Sequence, residues 1–146
     1  MKEPRISQAK PADADFTLEV TWANGSKDII DLGDLIHRLK VFRPLREGDL
    51  FGKVEVADYG WAVRWSDEID CSADTLWRLA QEQSGAAMSA KQFREWRKRM
   101  NLSLSGAAEA LGISRRMVAY YDSGEKPIPK AIWLATKGLE AERQTA

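Results

Sequence analysis

Apolar and polar residues alternate from Phe16 to Trp22, with Phe16, Leu18, Val20 and Trp22 interleaved with Thr17, Glu19 and Thr21. A period of two predicts a strand with one apolar face. Asn24-Gly25 follows at once, and both residues tolerate positive φ, so a type I′ turn is predicted. Lys27 to Leu32 returns as a second strand and completes a hairpin. Asp34 to Leu39 predicts a short helix that Pro44 does not allow to continue. Lys53 to Ala57 and Trp61 to Trp65 read as third and fourth strands around an Asp58-Tyr59-Gly60 turn, and Arg5 to Ala9 offers an edge strand. Ser72 is placed to cap a helix over Ala73 to Gln83, whose apolar face is Leu76, Trp77, Leu79 and Ala80. These elements predict an α+β domain with one small antiparallel sheet and one or two helices.

Beyond Gln83 the period lengthens to that of a helix. Phe93, Trp96 and Met100 recur at i, i+3 and i+7, opposite a face bearing Arg94, Arg97, Lys98 and Arg99. Asn101-Leu102-Ser103 makes a turn, with Ser103 placed to cap the next helix. In that helix Ala107, Ala108 and Leu111 share a face. Gly112 follows, where a sharp turn needs a residue that takes positive φ cheaply. Ile113 plugs the corner, and Ser114 is placed to cap another helix. There Val118 and Tyr121 point inward and leave Arg115, Arg116, Ala119 and Tyr120 outside. Two short helices joined by a glycine turn, the second presenting arginines, make a helix-turn-helix suited to the major groove. Small residues inside and charges outside also occur in α-hairpins that bind no DNA. A Pro-bounded loop from Gly124 to Pro129 leads to a last apolar helix with Ile132, Trp133, Ala135 and Leu139.

Charge sharpens this division. The 146 residues carry no net charge, which by itself argues against a nucleic-acid partner. Residues 1–85 hold 11 Lys/Arg against 16 Asp/Glu, a net of −5, and residues 86–146 hold 11 against 6, a net of +5. The basic half is the one that contains the helix-turn-helix pattern. Such asymmetry suits one part that faces a polyanion and one that does not. The boundary is expected near Gln83 to Met88, where Ser84-Gly85 interrupts the apolar period, giving domains over 1–85 and 88–146.

Little else points to chemistry. Cys71 is the single cysteine, so no disulfide forms within one chain, in keeping with a reducing cytoplasm. Its neighbours Asp70, Ser72 and Asp74 have the wrong sign to activate a thiol, and it reads as a small, partly buried residue. His37 is the single histidine and reads as a surface residue of the short helix. No zinc set of the usual type is available, and Asp67, Glu68 and Asp70 read as a solvated acidic loop. There is no P-loop, no GxGxxG and no serine with a histidine to activate it. No catalytic residue, metal or cofactor is therefore expected, and the chain is expected not to be an enzyme. No apolar run is long enough to span a membrane, and the polar N-terminus lacks a signal-peptide core. Trp22, Trp61, Trp65 and Trp77 read as core aromatics. One of Trp61, Val63 and Trp65, which share a strand face, is a candidate for an exposed partner surface.

Residues 90–139, about a third of the chain, resemble the phage-repressor (Xre, lambda-repressor-like) DNA-binding domain, a bundle of four or five helices. The resemblance rests on Phe93-x-x-Trp96-Arg97, Leu102-Ser103, Ala107-Ala108, Leu111-Gly112-Ile113-Ser114, Val118 and Tyr121-Asp122-x-Gly124. It implies that Arg115, Arg116 and Tyr120 stand at base-reading positions. Ser114, at the start of the same helix, and Lys126, in the loop after it, are expected at the DNA backbone. The resemblance also implies that Arg97 and Asp122 form a structural ion pair. Two features depart from the family. Leu104 stands where a DNA-contacting Gln is common, and the next positions, Ser105 and Gly106, are small and uncharged, Gly106 also lowering the propensity of its helix by about 1 kcal/mol relative to Ala.

Residues 5–80 resemble a bacterial family known as domain of unknown function 2442. The carried residues are Phe16-Thr17-Leu18-x-Val20-x-Trp22-x-Asn24-Gly25, Pro44-Leu45, Phe51, Val54, Gly60-x-x-Val63-x-Trp65 and Asp67-Glu68-Ile69-Asp70. Some members carry a phage-repressor-like domain behind, and shorter ones often sit beside small toxin-like genes. Two functions are therefore expected. One is a sequence-specific DNA-binding transcriptional regulator that reads the major groove of double-stranded DNA with helix 115–122. The other is an antitoxin-like interaction module whose acidic domain holds a protein partner. A second copy of the chain is a further candidate partner, and no membrane is expected.

Overall fold

The structure, a computed structural model, describes residues 4–145. The backbone contacts divide into two units, one ending at Gln83 and the other beginning at Ser84. Among the described residues no helix is long and apolar enough to cross a membrane.

The first unit holds strands β1 (Ile6–Pro11), β2 (Thr17–Trp22), β3 (Lys27–Asp31), β4 (Glu55–Ala57), β5 (Ala62–Ser66) and β6 (Ile69–Ser72). Helix α1 (Gly33–Arg38) follows β3, and α2 (Ala73–Gln83) follows β6. The strands form two antiparallel three-stranded sheets, β1-β2-β3 and β4-β5-β6, which corrects the expected single sheet. Between them the chain runs through α1 and 3-10 turns at Lys40–Arg46 and Leu50–Lys53, with Pro44 inside the first turn. The outer edge of β3 is occupied at Asp31. The Gln83 side chain there accepts from the Asp31 N–H and donates to the Asp31 carbonyl, both at 2.8 Å. A side-chain amide thus stands where the backbone of another strand would pair.

The other differences have local causes. At Asn24-Gly25 only Gly25 takes positive φ, +91°, so the turn is not type I′. Asn24 Oδ1 instead accepts from the Ser26 N–H at 2.9 Å and its hydroxyl at 2.7 Å. That local Asx arrangement competes with the left-handed conformation. Strand β6 replaces the expected acidic loop. Ile69 and Cys71 face inward, Asp70 lies opposite Arg64, and only Asp67-Glu68 turn the corner.

Both sheets and α2 share one core. Leu18, Val20, Trp22 and Ile30 come from the first sheet, Val63, Trp65, Ile69 and Cys71 from the second, and Leu76 and Ala80 from α2. Trp22 meets Trp77 edge-on at 5.1 Å, and its indole N–H donates to Asp28 at 2.7 Å. The alternation of β2 thus has its cause in one side of the sheet being sealed from water.

Among its described residues the second unit has four helices and no strand. They are α3 (Ala90–Arg99), α4 (Leu104–Leu111), α5 (Arg115–Ser123) and α6 (Lys130–Thr145). Ser89 and Gln92 close α3 with a reciprocal capping box. The Ser103 and Ser114 hydroxyls accept from the Gly106 and Met117 N–H groups and cap α4 and α5. Gly112 ends α4 at φ +72°, in the left-handed region where a Cβ is penalised. Phe93, Trp96, Ala107, Ala108, Val118 and Tyr121 fill the core between these helices. Over the described residues the structure is of mixed α+β class.

Candidate nucleic-acid interface

Helix α5 has one buried face and one open face. Val118 and Tyr121 are buried, while Ser114, Arg115 and Arg116 are exposed and Met117, Ala119 and Tyr120 are half-buried. The spacing decides this, because positions 118 and 121 fall on one side of a helix of 3.6 residues per turn. The Ser114 hydroxyl is engaged as an acceptor by the Met117 N–H at 3.1 Å, and its own proton remains free to donate. Arg115 has no hydrogen-bond or ion-pair partner among the described residues.

Arg116, Tyr120 and Lys126 come together. Arg116 Nε donates to the Tyr120 hydroxyl at 2.8 Å, and the guanidinium carbon lies 5.6 Å from the ring centre. Lys126 Nζ lies 4.5 Å from the same ring. The i, i+4 spacing in α5 supplies the first contact. The second comes from the tight exit of the helix, where Gly124 takes φ +82° and the Lys126 N–H bonds the Tyr120 carbonyl at 3.3 Å. Neither cation is paired with a carboxylate among the described residues. Lys126 lay outside the helical pattern, so its approach to Tyr120 was not legible from periodicity.

Behind α5, Arg97 on α3 grips Asp122 with two hydrogen bonds, and both side chains are about four-fifths buried. Arg97 also donates to the Leu102 carbonyl at 3.1 Å. Arg94, which sequence spacing assigns to a solvated basic face, donates to the Asp122 carbonyl at 2.7 Å. Two arginines one turn apart on α3 therefore hold the last turn of α5. The signal was their i, i+3 spacing, which puts both on the flank of Phe93 away from Trp96. On α4, Leu104 is half-buried against the helical core. The exposed residues of that helix are Ser105, Glu109 and Ala110, which offer no cation to a phosphate.

The remaining candidates are quieter. His37 is exposed, with Nδ1 2.7 Å from the Gly33 carbonyl oxygen and its ring edge-on to Phe16. Cys71 is buried, and burial, with the Asp70 charge adding to it, pushes its thiol up to about 12. Among the described residues no group of three or more His, Cys, Asp or Glu is arranged to hold a metal ion. In the first unit, Trp61 is 42% exposed and Tyr59 90%, whereas Val63 and Trp65 are buried. Arg5 lies over the Trp61 ring at 5.2 Å and donates to the Tyr59 carbonyl through Nε and Nη2.

A family model described as a protein of unknown function, DUF2442, matches residues 8–82, about half of the chain. The chain belongs to this family. The DUF2442 region lies inside the first unit, so α5 and its cations fall beyond it. A solved structure extends the likeness across both units. It is described as a putative DNA-binding protein from Nitrosomonas europaea, is 38% identical, and covers 98% of this chain and 92% of its own, with a TM-score of 0.54. No curated protein matches the chain.

Proposed function

We propose that this DUF2442 protein binds double-stranded DNA in a sequence-dependent way and acts in the cytoplasm as a transcriptional regulator. In this reading the second unit is a lambda-repressor-like helix-turn-helix domain, formed by α4, the Gly112 turn and α5. The observation that carries the reading is the exposed first turn of α5, where Arg115 and Arg116 stand in solvent without a carboxylate partner among the described residues. Side chains at the start of the second helix of such a motif reach base edges, and a guanidinium bonds O6 and N7 of guanine together. The net charge of +5 over residues 86–146 supports attraction to a polyanion. The relative described as a putative DNA-binding protein supports the same reading. The role is binding, not catalysis.

Selection of bound duplexes from a random pool tests this directly. A recovered consensus containing at least one essential guanine is expected. Recovery of no sequence above background would overturn specific recognition.

One observation favours a second reading, a protein partner held by the first unit. Tyr59, Trp61 and Arg5 are of the residue types that dominate interface energetics, and they converge on one exposed spot. If the chain retained the product of an adjacent small reading frame, and Trp61→Ala released it, this reading would lead.

A further inference from the structure

We propose that Arg116, Tyr120 and Lys126 form a phosphate cradle for the nucleic-acid backbone, leaving Arg115 as the arginine of α5 that reads a base. This assignment rests on the DNA-binding reading above and divides the labour within it.

Three observations carry the proposal. The first is direction. Arg116 Nε is bound to the Tyr120 hydroxyl at 2.8 Å, which draws the guanidinium along α5 toward its C-terminal half. The first turn is the part that enters the groove most deeply, and Arg116 is turned away from it. Arg115 carries no such tether.

The second observation is charge. Two cations, Arg116 and Lys126, share one phenol ring at 5.6 and 4.5 Å, with no carboxylate partner among the described residues. Two cations beside one ring raise the local positive potential, and a bound anion lowers it. A base edge carries no full charge, whereas a phosphate does.

The third is hydrogen-bond polarity. The Tyr120 oxygen already accepts from Arg116, so its proton is free to be donated. The Arg116 Nη groups, the Tyr120 O–H and the Lys126 ammonium then present donors alone. A phosphodiester has acceptors alone, so the two sets match.

The test uses the full chain, duplexes recovered by selection, and salt titrations of affinity. Arg116→Ala and Lys126→Ala are each expected to weaken selected and random duplexes by the same factor. Each should also reduce the slope of log affinity against log salt by about one. Tyr120→Phe, which keeps both cations, should weaken all duplexes without changing the slope. Arg115→Ala should relax the preference at one guanine. Loss of base preference on Arg116→Ala, with the slope unchanged, would overturn the assignment.

A second measurement keeps the cradle separable from the DNA reading. Addition of inorganic phosphate should shift the Tyr120 ring resonances, and Lys126→Ala should abolish the shift. A phosphate-dependent shift in a chain that binds no duplex would retain the anion site and remove its DNA role. Absence of any shift in the wild-type chain would remove the cradle.

Discussion

Arg97 and Asp122, 25 residues apart in sequence, meet through Nε–Oδ1 at 2.9 Å and Nη2–Oδ2 at 3.2 Å. The pair joins α3 to the end of α5, and the fork-to-fork geometry fixes orientation as well as distance. About a fifth of each side chain remains exposed, so its energy lies between that of a surface pair and that of a fully buried one. Asp122→Ala is expected to destabilise the helical unit by about 2 kcal/mol, because it strands a largely buried guanidinium. Urea denaturation followed on α3 and α5 amide resonances checks this. An unchanged midpoint would show that the pair contributes nothing.

Gly60 is expected to tolerate no side chain. Its φ is +95°, and a Cβ there would lie 2.6 Å from the Ile6 carbonyl oxygen. Gly60→Ala should therefore lose more than about 2 kcal/mol, combining left-handed strain with a backbone clash. Gly25 gives the control. It has φ +91° but nothing within 4 Å of a Cβ, so Gly25→Ala should cost only about 1–2 kcal/mol of conformational strain. Thermal melts of the two variants should differ clearly.

The Cys71 thiol is expected to resist thiol reagents at pH 8 until the first unit unfolds. Burial pushes the group from 9.0 up to about 12, so the folded state favours the protonated form. An acid whose folded pKa is raised adds stability below its unfolded value, and that stability is lost as pH rises toward the folded value. The wild-type chain should thus lose stability between about pH 9 and 12 more steeply than Cys71→Ala. Parallel pH profiles for the two chains would expose the mistake.

The two units are expected to fold separately. Each has its own set of buried aromatic residues, Trp22 and Trp65 in one and Phe93 and Trp96 in the other. Limited proteolysis should cut first near Ser84-Gly85, leaving two resistant fragments. A fragment over residues 84–146 without helical circular dichroism would refute this expectation.

What the sequence determined by itself was local. Alternation over Phe16 to Trp22 locates β2, because a strand buried on one face needs that period. The bounds of α2, the caps Ser103 and Ser114, and the Gly112 turn follow from capping chemistry and the freedom of glycine. Tertiary structure decided the rest. Whether six strands make one sheet or two was decided where β1 and β4 approach each other without forming a pairing ladder, while a glutamine 52 residues away occupies the far edge at β3. Trp61 and Trp65 read alike in sequence, yet only Trp65 is sealed by Phe42 and Phe51. Arg115 and Arg116 are adjacent and chemically identical. Tyr120, one turn along α5, engages Arg116 alone, and Lys126 joins it only because the chain doubles back after Gly124. Period and propensity act over a few residues, whereas these distinctions come from side chains that meet only when the backbone has folded.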